Sequence, residues 1–293
     1  MFTGSIVALV TPMTETGEIH YPSLQQLVEF HIKAGTAGIV AVGTTGESAT
    51  LPIDEHIHVV KKIVEYAAGR IPVISGSGAN STDEAIELSQ ASAEVGADGL
   101  LSVVPYYNKP QQRGLIAHFE KVADACGLPL LLYNVPGRTV TDMQAETVAV
   151  LAKHPRIVGL KDATGDLNRL REMQALLPTD FVLLSGDDAT GCEFMLAGGH
   201  GVISVTANLA PEAMARLCAA ATSGQAELAR EIDAGLAALH EGLFIEPNPV
   251  IPKWALYRMG LIPSPALRLP MVEAELIHQK AIEQVMHNAG LLS

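Results

Sequence analysis

A chain of 293 residues with 48% hydrophobic content can bury a sizeable core, which excludes a disordered protein and leaves room for one large domain or two small ones. A formal charge of -13 excludes nucleic acid or an anionic membrane as the main partner, since both call for a basic surface. Aromatics are only 4%, and the dominance of Ala, Val, Leu, Ile and Gly is that of parallel α/β proteins, whose strands are buried on both faces.

The N-terminus, MFTGSIVALVTPM, has no basic residue ahead of its apolar run. The run is too short to span a bilayer, so no targeting or membrane segment is expected. Within it, Ser5 to Val10 reads as a first strand. PSLQQLVEFHIKAG follows, with Leu24, Leu27, Val28 and His31 at helical spacing and Gly35 as a stop signal. Gly38 to Val42 is the second strand, and DEHIHVVKKIVEYAAG after it predicts a helix with a stripe of Ile57, Val60, Val64 and Ala67. Pro72 to Ser75 is the third, followed by Ser81 and Glu84 in a capping-box pattern. Gly99 to Val104, Leu130 to Tyr133, Ile157 to Lys161, Phe181 to Ser185 and Gly201 to Val205 complete eight strand candidates, with helical segments between them.

Eight strand-helix units over 1–223 match a (β/α)8 TIM barrel, whose usual size is roughly 250 residues. A doubly wound sheet is the competing α/β fold, but its glycine-rich GxGxxG turn does not follow the first strand. From 224 to 293 the pattern is helix alone, over Ala226 to His240, Pro252 to Met259 and Val272 to His287. This C-terminal helical extension is expected to pack on the barrel or on a neighbouring subunit. Cys126, Cys192 and Cys218 are odd in number and lack CxxC spacing, so neither a disulfide framework nor a zinc knuckle is expected. With no targeting segment, the expected compartment is the reducing cytoplasm.

Active sites of such barrels form from the loops at the C-terminal ends of the strands. Those loops carry GTTGES after the second strand, PYYNKP after the fourth, and Asn134-Val135-Pro136-Gly137-Arg138 after the fifth. Lys161-Asp162 follows the sixth, Gly186-Asp187-Asp188 the seventh, and Thr206-Ala207-Asn208 the eighth. Lys161, at the end of an apolar run, is the natural nucleophile, because an amine desolvated at a strand end is activated to form Schiff bases with carbonyl substrates. Its plainer reading is a lysine that snorkels to the rim or pairs with Asp162. Tyr133 ends the adjacent strand and can bring a phenol near the amine, or can simply anchor the rim. Thr44 and Thr45 lie in a glycine-bounded turn whose N–H groups suit a carboxylate, although Thr44 and Glu47 also fit a capping box. Arg138 suits a bidentate grip on a carboxylate. Tyr106 and Tyr107, adjacent in the chain, are expected to point in different directions. Asp187 and Asp188 read as caps for the next helix rather than metal ligands. His56 and His58 fall in a helix, where residues two apart do not face one another, so no metal site is expected.

Several of these motifs resemble a known family. GTTGES at Gly43 to Ser48, PYYNKP at Pro105 to Pro110, YNVPGRT at Tyr133 to Thr139, GLKDATGD at Gly159 to Asp166, LLSGDDA at Leu183 to Ala189 and GVISVTAN at Gly201 to Asn208 are similar to those of the 4-hydroxy-tetrahydrodipicolinate synthase family, also called dihydrodipicolinate synthases. The match runs from the first strand to Pro270. The resemblance implies a lysine-biosynthesis enzyme that condenses pyruvate with L-aspartate 4-semialdehyde without a cofactor. Lys161 would form the Schiff base. Tyr133, Thr44 and Tyr107 would form a proton relay, with that last tyrosine supplied by the partner subunit of a dimer that assembles into a homotetramer. Thr44 and Thr45 would hold the pyruvate carboxylate, Gly186 and Ile203 would line the pocket, and Arg138 would bind the semialdehyde carboxylate.

The resemblance also implies an L-lysine effector site at the dimer interface, matched by Ser48, Ala49, His56, Asn80, Glu84 and Tyr106. Ile53 departs from the pattern, since several lysine-sensitive members carry histidine there, so lysine inhibition is expected to be weakened or absent. Asp162 stands where many relatives have glutamate. Two other readings remain open on the residues. One is another Schiff-base pyruvate lyase, such as N-acetylneuraminate lyase or a 2-keto-3-deoxy sugar-acid aldolase, which would share Lys161 and Tyr133. The other is a non-catalytic small-molecule binding barrel.

Overall fold

The runs GIVA at Gly38–Ala41 and VLLS at Val182–Ser185 show no polar alternation, and every residue in them is buried. Strands read this way when both faces are covered, and the computed structural model, which describes residues 2–292, supplies both covers. The strands β1 (Gly4–Ala8), β2 (Gly38–Ala41), β3 (Val73–Gly76), β4 (Gly99–Val103), β5 (Leu130–Asn134), β6 (Ile157–Asp162), β7 (Val182–Ser185) and β8 (Gly201–Ser204) close into one barrel in chain order. Every pairing is parallel, including that of β8 back to β1. The eight expected strands are therefore present, each displaced by no more than two residues at either end.

The outer cover comes from α1 (Tyr21–Lys33), α2 (Ile53–Ala67), α3 (Thr82–Glu94), α4 (Gln112–Ala125), the short α5 (Pro136–Thr139), α6 (Ala145–Leu151), α7 (Leu167–Leu176), α8 (Asp188–Leu196) and α9 (Pro211–Thr222). The inner cover is the barrel's own filling. Ile6, Val40, Ile74, Leu101, Leu131, Val182, Leu184 and Ile203 alternate inward and pack together. Phe2 closes the N-terminal end, its ring taking the space that a Cβ on Gly99 would need.

Beyond the barrel, α10 (Ala226–Gly242), α11 (Val250–Arg258) and α12 (Leu276–Asn288) form the expected extension. It packs on this chain's own barrel: α10 lies against α8 and α9, and α12 against α10 and α11. Val272 to Glu275, expected to open the last helix, precede it instead. Among the described residues no helix is long and apolar enough to cross a membrane.

The buried face of α2 differs from the expected stripe. His56, Val59, Val60, Ile63 and Ala67 are buried, whereas Ile57 and Val64 are half-buried. His56 causes the rotation, because its Nε2–H donates to the Gly76 carbonyl at the end of β3 over 2.8 Å and so turns a polar residue inward. Val64 lies on the flank of the helix, against Gly96. Helix caps follow local chemistry as anticipated. Ser81 Oγ accepts from Glu84 N at 3.5 Å, and Asp187 accepts from the N–H of Thr190 at 3.0 Å. Asp188, also expected to cap this helix, does not: its carboxylate accepts from the N–H groups of Val205 and Thr206 at 2.8 and 3.0 Å, tying α8 to the end of β8.

Candidate active site

Side chains along a strand alternate between faces, and in β6 this sends Gly159 and Lys161 into the barrel and Leu160 and Asp162 out of it. Lys161 lies in register between Tyr133 of β5 and Leu184 of β7. It is only 6% exposed, and its Nζ stands 4.2 Å from the centroid of the Tyr133 ring, over the ring face. Gly186, just after β7, leaves room for this side chain. A Cβ there would come within 2.7 Å of both Lys161 Cε and Ala163 Cβ, so the glycine serves space rather than backbone freedom.

Asp162 does not pair with Lys161. Its Oδ1 accepts from the N–H of Thr164 at 3.0 Å and from the Thr164 hydroxyl. Its Oδ2 faces Arg169 Nε at 3.3 Å and Asn134 Nδ2 at 3.4 Å. Arg169 also donates to Asp142 and to the Met143 carbonyl, so the carboxylate is satisfied outside the barrel wall. Among the described residues Lys161 forms no ion pair, the two lysine pairs being Lys62 with Glu65 and Lys253 with Glu47.

The turn after β2 is held by bonds from Gly46 N and Ser48 N to the Gly43 carbonyl and from Glu47 N to Thr44 O. These bonds do not use the N–H groups of Thr44 or Thr45, which remain as donors at the mouth. Gly46 is needed for close approach, since a Cβ would fall 2.8 Å from Val42 Cα. The alternative capping box of Thr44 with Glu47 is not formed. Glu47 adopts a left-handed φ of 62° and turns its carboxylate into the protein, where Oε1 meets Lys253 Nζ at 2.6 Å and Oε2 accepts from Arg268 N at 3.1 Å. Burial pulls the Lys253 ammonium below the ordinary lysine value, with Glu47 pulling it back up.

Arg138 is exposed, on the short α5. It lines, with Thr44 and Asn248, a cavity of about 390 Å³ that also reaches Ser48, His56 and Tyr106. Of the effector residues named from the resemblance, Ala49 and Glu84 line it too. Asn80 stands behind them and donates to the Tyr106 carbonyl at 3.2 Å. Burial, and then the Glu84 carboxylate, hold the Tyr106 phenol above its ordinary range. The two tyrosines do diverge. Tyr106 is 37% exposed, whereas Tyr107 is 89% exposed at a left-handed φ of 73°, and this chain does not bring Tyr107 to Thr44 or Tyr133. Ile203 is buried within the barrel filling. His56 is buried while His58 is exposed, so the two histidines face apart.

Asn248 escaped the reading of the sequence. It is buried, donates Nδ2–H to Thr45 Oγ1 at 2.9 Å, and its backbone carbonyl accepts from Arg138 Nη2 at 3.4 Å. Its only sequence signal is a turn-forming Pro-Asn-Pro ahead of a helix, which says nothing of a partner 203 residues away. The Glu47–Lys253 pair was missed for the same reason.

A family model described as the dihydrodipicolinate synthetase family matches residues 1–289. The 4-hydroxy-tetrahydrodipicolinate synthase of Pseudoalteromonas atlantica is 68% identical over 293 residues, the whole of both chains. The chloride-inhibited dihydrodipicolinate synthase of Acinetobacter baumannii, solved in complex with pyruvate, superposes with a TM-score of 0.98 at 48% identity over 100% of each chain. That of Cyanidioschyzon merolae, solved with lysine bound, gives 0.95 at 40% identity over 99% of each.

Proposed function

The chain belongs to the dihydrodipicolinate synthetase family, and from that premise we propose how its own residues perform the reaction. The reaction is that of a 4-hydroxy-tetrahydrodipicolinate synthase, a lyase that condenses pyruvate with L-aspartate 4-semialdehyde. Lys161 Nζ adds to C2 of pyruvate and water leaves, giving an imine. Loss of a C3 proton turns the imine into an enamine, whose C3 attacks the aldehyde carbon. The amino group of the second substrate then closes on C2 and releases Lys161. The imine is itself the electron sink, so no cofactor is called for.

One observation carries this assignment: among the described residues Lys161 is the one lysine inside the barrel, beside Tyr133 and free of a carboxylate partner. Tyr133 moves protons at the imine. The free N–H groups of Thr44 and Thr45 hold the pyruvate carboxylate, Gly186 and Ile203 shape its pocket, and Arg138 takes the carboxylate of the semialdehyde. The exposure of Tyr107 supports its service in the relay of a second copy, reaching Thr44 across an interface, and hence a dimer within a homotetramer. The cavity lined by Ser48, Ala49, His56, Glu84 and Tyr106, with Asn80 behind it, is the place for an L-lysine effector. Three free, buried cysteines support a reducing, cytoplasmic setting.

Borohydride reduction in the presence of pyruvate tests the assignment. A stable adduct on Lys161 is expected, together with pyruvate consumption once the semialdehyde is added. Lys161→Ala is expected to lose the adduct and at least about a thousandfold in turnover. An unmodified Lys161 in the wild type would sink the reading.

A further inference from the structure

We propose that Asn248 is a positioning residue for the reaction, resting on the functional reading above: it sets the spacing between the two carboxylate-binding groups, Thr45 and Arg138. One residue holds both. Its side chain donates to Thr45 Oγ1 at 2.9 Å, and its backbone carbonyl receives Arg138 Nη2 at 3.4 Å. Asn248 lines the same cavity as Thr44 and Arg138. Five residues further on, Lys253 grips Glu47 at 2.6 Å, so the same segment of the extension clamps the turn on either side of Gly46.

Stability does not account for the amide. Asn248 is only 5% exposed, and among the described residues its Oδ1 has no hydrogen-bond partner. A buried amide with an unmet acceptor is a poor stabiliser, and an apolar residue of similar shape would serve the core as well. What the side chain does is hold Thr45. The turn that binds one carboxylate is thereby fixed relative to the guanidinium that binds the other. The enamine carbon and the aldehyde carbon must meet at bonding range, and misplacement of either anchored substrate loses that alignment.

Asn248→Ala, Thr45→Val and the double variant, each assayed with both substrates varied and with borohydride trapping, test the proposal. Each single variant is expected to raise KM for pyruvate by about tenfold, the worth of one lost hydrogen bond, and to lower kcat through misalignment. KM for the semialdehyde is expected to move less, because Arg138 still meets the backbone carbonyl at position 248. The double variant is expected to do no worse than either single one, and trapping at saturating pyruvate stays complete. Asn248→Asp is expected to raise the pyruvate KM further than Asn248→Ala, because it sets an anion beside the carboxylate turn. An unchanged KM for pyruvate in Asn248→Ala, or additive effects in the double variant, overturn the proposal. If Asn248→Ala does not fold, Thr45→Val alone decides: a pyruvate KM raised about tenfold sustains the proposal and a wild-type value overturns it. A wild type that traps no pyruvate overturns the functional reading and this proposal together.

Discussion

Ile53 opens α2 three residues ahead of His56, and positions three apart share a helix face. Burial pushes the His56 imidazole down to about 4, so at neutral pH the ring is uncharged. Its Nε2–H is committed to Gly76, which leaves Nδ1 as an acceptor for an ammonium group. Ile53 offers the same ligand nothing polar. L-Lysine is therefore expected to inhibit only in the millimolar range, and Ile53→His to lower the half-inhibitory concentration by about tenfold, as one added hydrogen bond would. A dose response of the wild type in the micromolar range would contradict this.

The turn between β2 and α2 is held from outside itself. Val42 has a left-handed φ of 52° and Glu47 one of 62°, conformations that a β-branched residue in particular rarely adopts. Such local strain persists where surrounding contacts over-determine it, and here the contact is the buried pair of Glu47 with Lys253 of α11, 2% and 0% exposed. Removing one partner of a buried pair strands the other charge, at about 3–5 kcal/mol, whereas removing both is often close to neutral. Lys253→Met is expected to lose that much in chemical denaturation, and addition of Glu47→Gln to recover most of it. A Lys253→Met variant within about 0.5 kcal/mol of the wild type would show that the extension does not anchor the turn.

Among the buried histidines are three in different parts of the molecule, His31 in α1, His56 in α2 and His118 in α4. Burial holds them down to about 3, about 4 and about 4 respectively. Each folded pKa lies below the unfolded value, so the unfolded chain takes up protons first as pH falls, and folding stability falls with it. The contribution is fully present above about pH 6.5 and is lost toward about pH 4, with a slope of up to about 4 kcal/mol per pH unit for three such groups. Urea midpoints taken between pH 7.5 and 5 are expected to drop steadily below 6.5, and His118→Gln to flatten the slope by about a third. A midpoint constant down to pH 5 would refute the account.

The barrel was legible from the chain because strands buried on both faces write unbroken apolar runs, and eight of them, with helices between, leave few closed arrangements. Lys161 was legible because a charge ending such a run has to be accounted for. The stripe of α2 was misread because a histidine with a buried carbonyl to bind counts as an inward residue, which hydropathy does not register. The plainer alternative, in which Lys161 pairs with Asp162, fails because β6 sends the two to opposite faces, where Arg169 neutralises the acid. Asn248, Lys253 and Arg268 gave no sign of their roles. Their partners Thr45, Glu47 and Glu55 lie more than 200 positions away. Local periodicity records which face of an element is buried, whereas a polar contact between elements exists only once the chain has closed on itself.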